Sequence, residues 1–199
     1  MKFASLTTIV LAGAMLAGCV MTEDVVSLQY TSTQSGASVR GAQQVGATVV
    51  TVDARPTDAT KISDKIDGYG NKQGPVRTDT DISALVRSAA ENELSSRGFR
   101  MAGNDATVRI EILRFFNEFR RGFPMAIAEG QVGFNVQVLD RGASALYQRR
   151  INVVNRAGNV AFVTAGVAKS NLEDSLGKAM NELMADERFI DAIIAAGKS

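Results

Sequence analysis

Ala126-Ile127-Ala128-Glu129-Gly130-Gln131-Val132-Gly133-Phe134-Asn135-Val136-Gln137-Val138 decides the fold. Ala126, Ala128, Gly130, Val132, Phe134, Val136 and Val138 recur at every second position, between Glu129, Gln131, Asn135 and Gln137. That is the period of a strand with one buried face. Upstream, Val108, Ile110 and Ile112 alternate with Arg109, Glu111 and Leu113 towards Phe115. Downstream, the turn signal Asp140-Arg141-Gly142 leads into a strand over residues 145–155, with Tyr147, Ile151 and Val153 on one side. Three successive strands joined this way predict an antiparallel meander.

Further out, Ala47-Thr48-Val49-Val50-Thr51-Val52-Asp53 is a β-branched run ended by Arg55-Pro56, and reads as another core strand. Ile82, Leu85, Val86, Ala89 and Leu94 recur at helical spacing, behind an N-cap supplied by Asp79, Thr80 and Asp81. Gly98 ends that helix, and Phe99 is placed to fold back on its last turn. Ser170-Asn171-Leu172-Glu173 reads as a capping box opening a helix that carries Leu172, Leu176, Ala179, Met180 and Leu183. A last helix restarts near Asp186 with Phe189, Ile190, Ile193 and Ile194 on one side. The polar, glycine-rich residues 57–77 are expected to form a long loop. A crossover through the first helix sets the early strand parallel to a meander strand. The order β-α-β-β-β-α predicts an α+β two-layer sandwich, a mixed, mostly antiparallel four-stranded sheet with helices on one face.

The amino end has another character. Lys2 gives a positive flank, residues 3–14 are apolar apart from Ser5, Thr7 and Thr8, and Ala17-Gly18 are small. This is the layout of a secretory signal peptide, too short for a spanning helix of about 20 residues. Leu16-Ala17-Gly18-Cys19 resembles the lipobox of bacterial lipoproteins. The resemblance implies cleavage between Gly18 and Cys19, lipid on the Cys19 sulfur and an acyl group on its amine. Several acyl chains hold a protein stably where one holds only marginally. The other processing, cleavage near Ala17, would leave Cys19 a free thiol. Val20 stands where an aspartate is associated with inner-membrane retention in enteric bacteria, so the sorting resemblance implies the outer membrane, periplasmic face. Residues 1–18 are thus expected to be removed and 19–46 to form a lipidated, flexible tether, within which Val25, Val26, Leu28 and Tyr30 could add an edge strand. Residues 47–199 are expected to form one periplasmic domain.

Composition narrows the chemistry. Of 199 residues, 22 are Lys or Arg and 21 Asp or Glu. Loss of Lys2 balances them, and a neutral chain has no electrostatic reason to meet nucleic acid. Cys19 is the only cysteine, so no internal disulfide can form. Histidine is absent, which excludes Ser-His and Cys-His nucleophiles and imidazole zinc sites. No cofactor or metal is expected, and the balance favours binding over catalysis.

The lipobox, the strand ending at Asp53-Ala54-Arg55-Pro56, and Leu94-Ser95-Ser96-Arg97-Gly98-Phe99 closing the first helix together resemble the YajG-like outer-membrane lipoproteins. The strand over residues 108–115 and the meander over 128–155 extend the resemblance. It implies location and fold and supplies no catalytic residue.

Ser175-Leu176-Gly177-Lys178 spells Ser-x-x-Lys, an acylation motif, but lies inside an amphipathic helix without its usual partner motifs. Asp58, Asp64 and Asp67 do not have calcium-loop spacing. Arg141, Arg149, Arg150 and Arg156 give a basic meander edge, read as a solvated face or as contacts for anionic envelope polymers. Phe115-Phe116-Asn117-Glu118-Phe119-Arg120-Arg121-Gly122-Phe123-Pro124-Met125 is the most distinctive stretch. Adjacent Phe115 and Phe116 cannot both face the core. Phe116, Phe119, Arg120, Arg121 and Phe123 therefore make a candidate docking loop for an envelope protein, unless the rings plug the end of the core. The reading that follows is a non-enzymatic module of envelope assembly or maintenance, held to the membrane by its lipid. The alternatives are a carrier or sensor of cell-wall fragments or lipid in a helix-sheet cleft, and a wall hydrolase using Asp79, Asp81 or Glu129.

Overall fold

The computed structural model describes residues 22–32, 37–56, 58–122 and 124–198. In chain order it contains β1 (Asp24–Val26), a 3-10 turn (Ala42–Gln44), β2 (Ala47–Asp53), β3 (Lys61–Ile66), β4 (Lys72–Thr78) and α1 (Ile82–Ser96). Then come β5 (Ala106–Arg120), β6 (Ala126–Leu139), β7 (Ala145–Val160), α2 (Ala165–Met184) and α3 (Glu187–Ala196). The seven strands make one sheet in the order β1-β4-β3-β5-β6-β7, with β2 also paired to β5. The α+β class stands, but the sheet is larger than the expected four strands.

The meander forms as its alternation dictates, with β5-β6 and β6-β7 antiparallel. β2 runs parallel to β5 from Ala47 against Ala106 to Asp53 against Ile112. Farther along β5, β3 joins it in parallel through Ser63 and Asn117. The expected loop 57–77 is instead the β3-β4 hairpin, whose apolar side chains Ile62 and Val76 are fully buried. Its strand signal is weak because so few large apolar residues carry it and Pro75 sits within β4.

Residues expected to act as tether also hold places in the fold. β1 pairs in parallel with β4, from Asp24 against Val76 to Val26 against Thr78. Leu28, Ala42 and Val45 are buried in the core. The Tyr30 and Ser32 hydroxyls each donate to Glu93 on α1, at 2.6 Å. The segment lacks apolar density because hydrogen bonds do much of its fixing.

β5 changes register midway. Up to the bulge between Ile112 and Arg114, the inward residues are Ala106, Val108, Ile110 and Ile112, all fully buried. An extra residue in one strand flips the alternation beyond it. Phe115, Asn117 and Phe119 then face inward, while Phe116 faces outward with the Arg114 guanidinium 4.8 Å from its ring centre.

α1 starts at Asp81, whose carboxylate accepts from the Ala84 amide at 3.1 Å. It ends as predicted, with Gly98 at φ +96° and the Phe99 amide donating to the Leu94 carbonyl. α2 begins earlier than the proposed capping box. Its N-cap is Thr164, the Ser170 hydroxyl donates to the Gly166 carbonyl, and Glu173 accepts from the Gln29 amide. Ser170 lies inside the helix because residues 165–169 are themselves helical. α2 lies over β6 and β7, with α1 and α3 beside it. Leu172, Leu176, Met180, Leu183 and Phe189 meet Val108, Ile110, Phe134 and Ile151 in one fully buried cluster. Each such side chain contributes about 1.5–3 kcal/mol through burial.

Candidate docking surface

Three connections meet where β5 ends. They are the β3-β4 tip at Asp67–Gly70, the β5-β6 turn over 121–125, and the β7-α2 link over 161–164. Ile66, Asp67, Gly68, Arg121, Met125 and Phe162 are among the residues around a surface concavity of about 410 Å³ at this loop end. The Asp67 carboxylate accepts from the Asn71 side chain and from the Tyr69 and Asn71 amides. The Asn71 side chain and amide, joined by other donors, hold its pKa below the usual carboxylate range. The Tyr69 ring is 83% exposed on that tip, and Phe162 is 79% exposed on the β7-α2 link.

The aromatic stretch named from the sequence divides here. Phe119 is 6% exposed and forms a plug with Ala128, Val160 and Ala168, so its ring is not offered to a partner. Phe116 lies half-buried on the outer face of the sheet. Arg120 is committed to carboxylates, lying 3.3 Å from both Glu118 and Glu129. Arg121 is exposed and borders the concavity. Phe123, Gly18 and Cys19 lie outside the described residues. Met125 closes the stretch singled out from the sequence without being among its candidate residues, and Tyr69 and Phe162 were not candidates at all. The one signal for Phe162 was the apolar run Val160-Ala161-Phe162-Val163, which has neither strand nor helix period.

The other motifs resolve into structural tasks. Ser175 is fully buried and its hydroxyl donates to the Asn171 carbonyl at 2.6 Å, while Lys178 reaches Asn155, so Ser-x-x-Lys presents no nucleophile. Asn171 also donates to Asn117 at 2.8 Å and accepts from Asn155 at 2.7 Å, completing a buried amide chain from β5 to α2 and β7. Asp58 is taken by Thr60 and Arg77, and Asp64 by Lys61 and Lys72. Among the described residues, no group of three or more Asp, Glu, Cys or His side chains could hold a metal ion. Asp79 accepts from Ser27, Asp81 caps α1 and Glu129 pairs with Arg156 at 2.8 Å, so the three carboxylates serve separate bonds. Arg141 pairs with Asp105, and Arg149 with Glu182 and Asp186. The middle of the space between helices and sheet is filled by Leu172, Leu176, Met180, Phe134 and Ile151 at zero exposure, and open concavities of about 350 and 700 Å³ lie only at its margin, between β7 and α2 and between β7 and α3 among the described residues.

The helices cover one face of the sheet, and the opposite face is bare. β2, β5, β6 and β7 present there Val50, Val52, Arg109, Glu111, Gln131 and Val154, with Val50 42%, Val52 40% and Val154 53% exposed. Arg109 pairs with Glu111 at 2.9 Å and Asn135 donates to Glu111 at 3.1 Å.

Fold and surface together define a one-sided α+β protein in which the carboxylates and the serine singled out from the sequence are held in structural bonds. The chain belongs to a family described as uncharacterized lipoproteins, which matches residues 32–193. This membership is coarser than the YajG-like resemblance. Among solved structures, protein XCC0632 from Xanthomonas campestris is similar at a TM-score of 0.59 and 12% identity, over 89% of this chain and 98% of that one. A minor lipoprotein from Acinetobacter baumannii matches at 0.46 and 7% identity, over 74% of this chain and 95% of that one. The first likeness shows the fold. No curated protein matches the chain.

Proposed function

We propose that this chain is an outer-membrane lipoprotein of the YajG-like kind, held through Cys19 with its body on the periplasmic face. It works there as a non-enzymatic binding module in envelope assembly or maintenance. The observation that carries the reading is the bare face of the sheet, a broad surface on rigid strands, with valines exposed among ion pairs already made within the face. A protein partner can lie on such a plane with Arg109, Arg120 and Arg156 already neutralised by carboxylates, and Arg114 and Arg150 remain to meet acceptors on the partner. Family membership supports the membrane attachment, and the Leu16-Ala17-Gly18-Cys19 motif supplies its chemistry.

The test has two parts. Palmitate should label the wild-type chain and not Cys19→Ala, which should leave the membrane fraction. A photo-crosslinker at Val52 or Val154 should capture one discrete envelope protein in cells, and the same probe at exposed Val25 on the far edge should not. Equal capture at all three positions would falsify the docking face.

A further inference from the structure

The described chain begins at Thr22, and its position is fixed by a neighbour. The Lys65 ammonium donates to the Thr22 carbonyl at 2.8 Å. Lys65 precedes Ile66, the last residue of β3, whose side chain borders the concavity among the three loops. β1 and β4 run in parallel away from that end, so the chain comes in from the loop end of the sheet. Three residue steps separate Thr22 from Cys19. A fully extended chain covers at most about 3.6 Å per residue, so the Cys19 sulfur can lie no farther than about 11–13 Å from Thr22.

The most exposed large hydrophobic side chains lie at the same end. Tyr69 at 83%, next to Gly68 on the β3-β4 tip, and Phe162 at 79% head the described residues, and Met125 at 43% borders the concavity with Phe162. No other aromatic ring among the described residues stands out from the body in this way. Aromatic side chains with one wet and one apolar side settle at the membrane-water boundary, and apolar faces bury into the headgroup and acyl edge. Local charges nearly cancel. Lys65 pairs with Asp24 and Lys72 with Asp64, which leaves the Arg121 guanidinium and the Asp67 carboxylate, opposite in sign, at the rim.

We propose that the loop end is a seat on the bilayer. With Cys19 acylated, the tips carrying Tyr69, Met125 and Phe162 rest in the headgroup region of the leaflet that holds the anchor. The inference rests on the anchoring reading above and deepens it. The sheet then stands on the membrane through its loops, and its bare face is turned sideways to the periplasm. Because the contact is apolar, the seat forms on zwitterionic as well as anionic lipid.

The chain has no tryptophan, so one introduced residue reports alone. Phe162→Trp protein, purified in its lipidated form, is reconstituted in phosphatidylethanolamine-phosphatidylcholine vesicles, with and without bromine on the acyl chains. Leu146→Trp, beside the Asp140–Ser144 turn at the opposite end of β7, is the reference. Flotation with the vesicles reads the anchor, and quenching reads the seat. The expected result is co-flotation of both variants, a blue shift at position 162 and about fivefold greater quenching by brominated lipid there than at 146. Co-flotation with equal, weak quenching overturns the seat and leaves the anchor standing. A blue shift at 162 that brominated lipid does not touch also overturns it, by showing the ring covered by protein. Chain that carries no acyl group and stays off the vesicles overturns the anchor and the seat with it.

Discussion

Phe119 and Phe162 stand at the same end of the sheet and meet opposite fates. Phe119 is 6% exposed and plugs the core against Ala128, Val160 and Ala168, whereas Phe162 is 79% exposed on the rim. Phe119 stands between Glu118 and Arg120 and Phe162 in the apolar run Val160-Ala161-Phe162-Val163, so local composition would assign them the wrong way round. Register separates them. Phe119 belongs to a strand whose bulge at Ile112/Arg114 turns odd-numbered residues inward, and Phe162 lies two residues beyond the end of β7, where no ladder aims it. The ladder turns Phe119 into the core and Phe116 out of it, and no strand pairing aims Phe162 at all.

The widest separation between plug and rim is expected in stability. Phe119→Ala should cost about 3 kcal/mol in urea unfolding, the low end for a buried aromatic because the plug lies near the rim. Phe162→Ala should stay within about 0.5 kcal/mol, as surface changes do. Similar losses in the two variants would mean that the rim ring is covered in solution, and the comparison would break.

A smaller effect is expected where α2 crosses the sheet above the plug. A side chain added at Gly130 would place its Cβ 2.4 Å from the Ser175 hydroxyl and 2.6 Å from the Asn171 carbonyl. Gly130→Ala should cost about 2 kcal/mol, in the range for overfilling a packed interior. Adding Ser175→Ala should recover only part of that, because the carbonyl remains in the way. Full recovery would show that the hydroxyl alone sets the spacing of helix and sheet. Gly177 on the same helix has open space around its Cβ position, so Gly177→Ala should be neutral or stabilising.

These contrasts mark how far the sequence could be read. The meander, β2, α1 with its Asp81 cap and Gly98 stop, and α3 opening at Asp186 all follow from period and capping, which are local. The β3-β4 hairpin does not. Ile62 and Val76 are its only fully buried large side chains, and Ser63 is buried because its hydroxyl reaches the Asn117 carbonyl, a partner 54 residues away. β1 is likewise three residues defined by its ladder to β4. The candidate loop was legible in part. Alternation alone shows that Phe115 and Phe116 must part company, but the bulge decides which turns inward, and a bulge has no residue signature here. Tyr69 and Phe162 gave less still, since an exposed ring in a turn is recognised by what fails to cover it.

The smallest effect is one that only acid reveals, and it separates the two grips on the N-terminal segment. At the rim the grip is Lys65 on the Thr22 carbonyl, and in the core it is Glu93, which is fully buried and takes bonds from Tyr30, Ser32 and Arg97. Burial by itself would raise the Glu93 carboxyl, but those three donors outweigh it and hold its pKa below the ordinary 4.5. A carboxyl depressed on folding contributes stability that is fully present above 4.5 and is lost as pH falls through the lower folded value. Between those limits the unfolded chain binds the proton and the folded one does not, so acid draws the equilibrium towards release. The segment around Tyr30 should therefore lose hydrogen-exchange protection, corrected for the intrinsic rate, as pH drops below 4.5. Glu93→Gln should start from lower protection and show a flatter acid limb. Phe119 and its plug contain no carboxylate and should keep their protection over the same range. If the plug amides opened together with Tyr30, one cooperative event would govern both regions, and the N-terminal segment would be as much a part of the core as the strands beneath it.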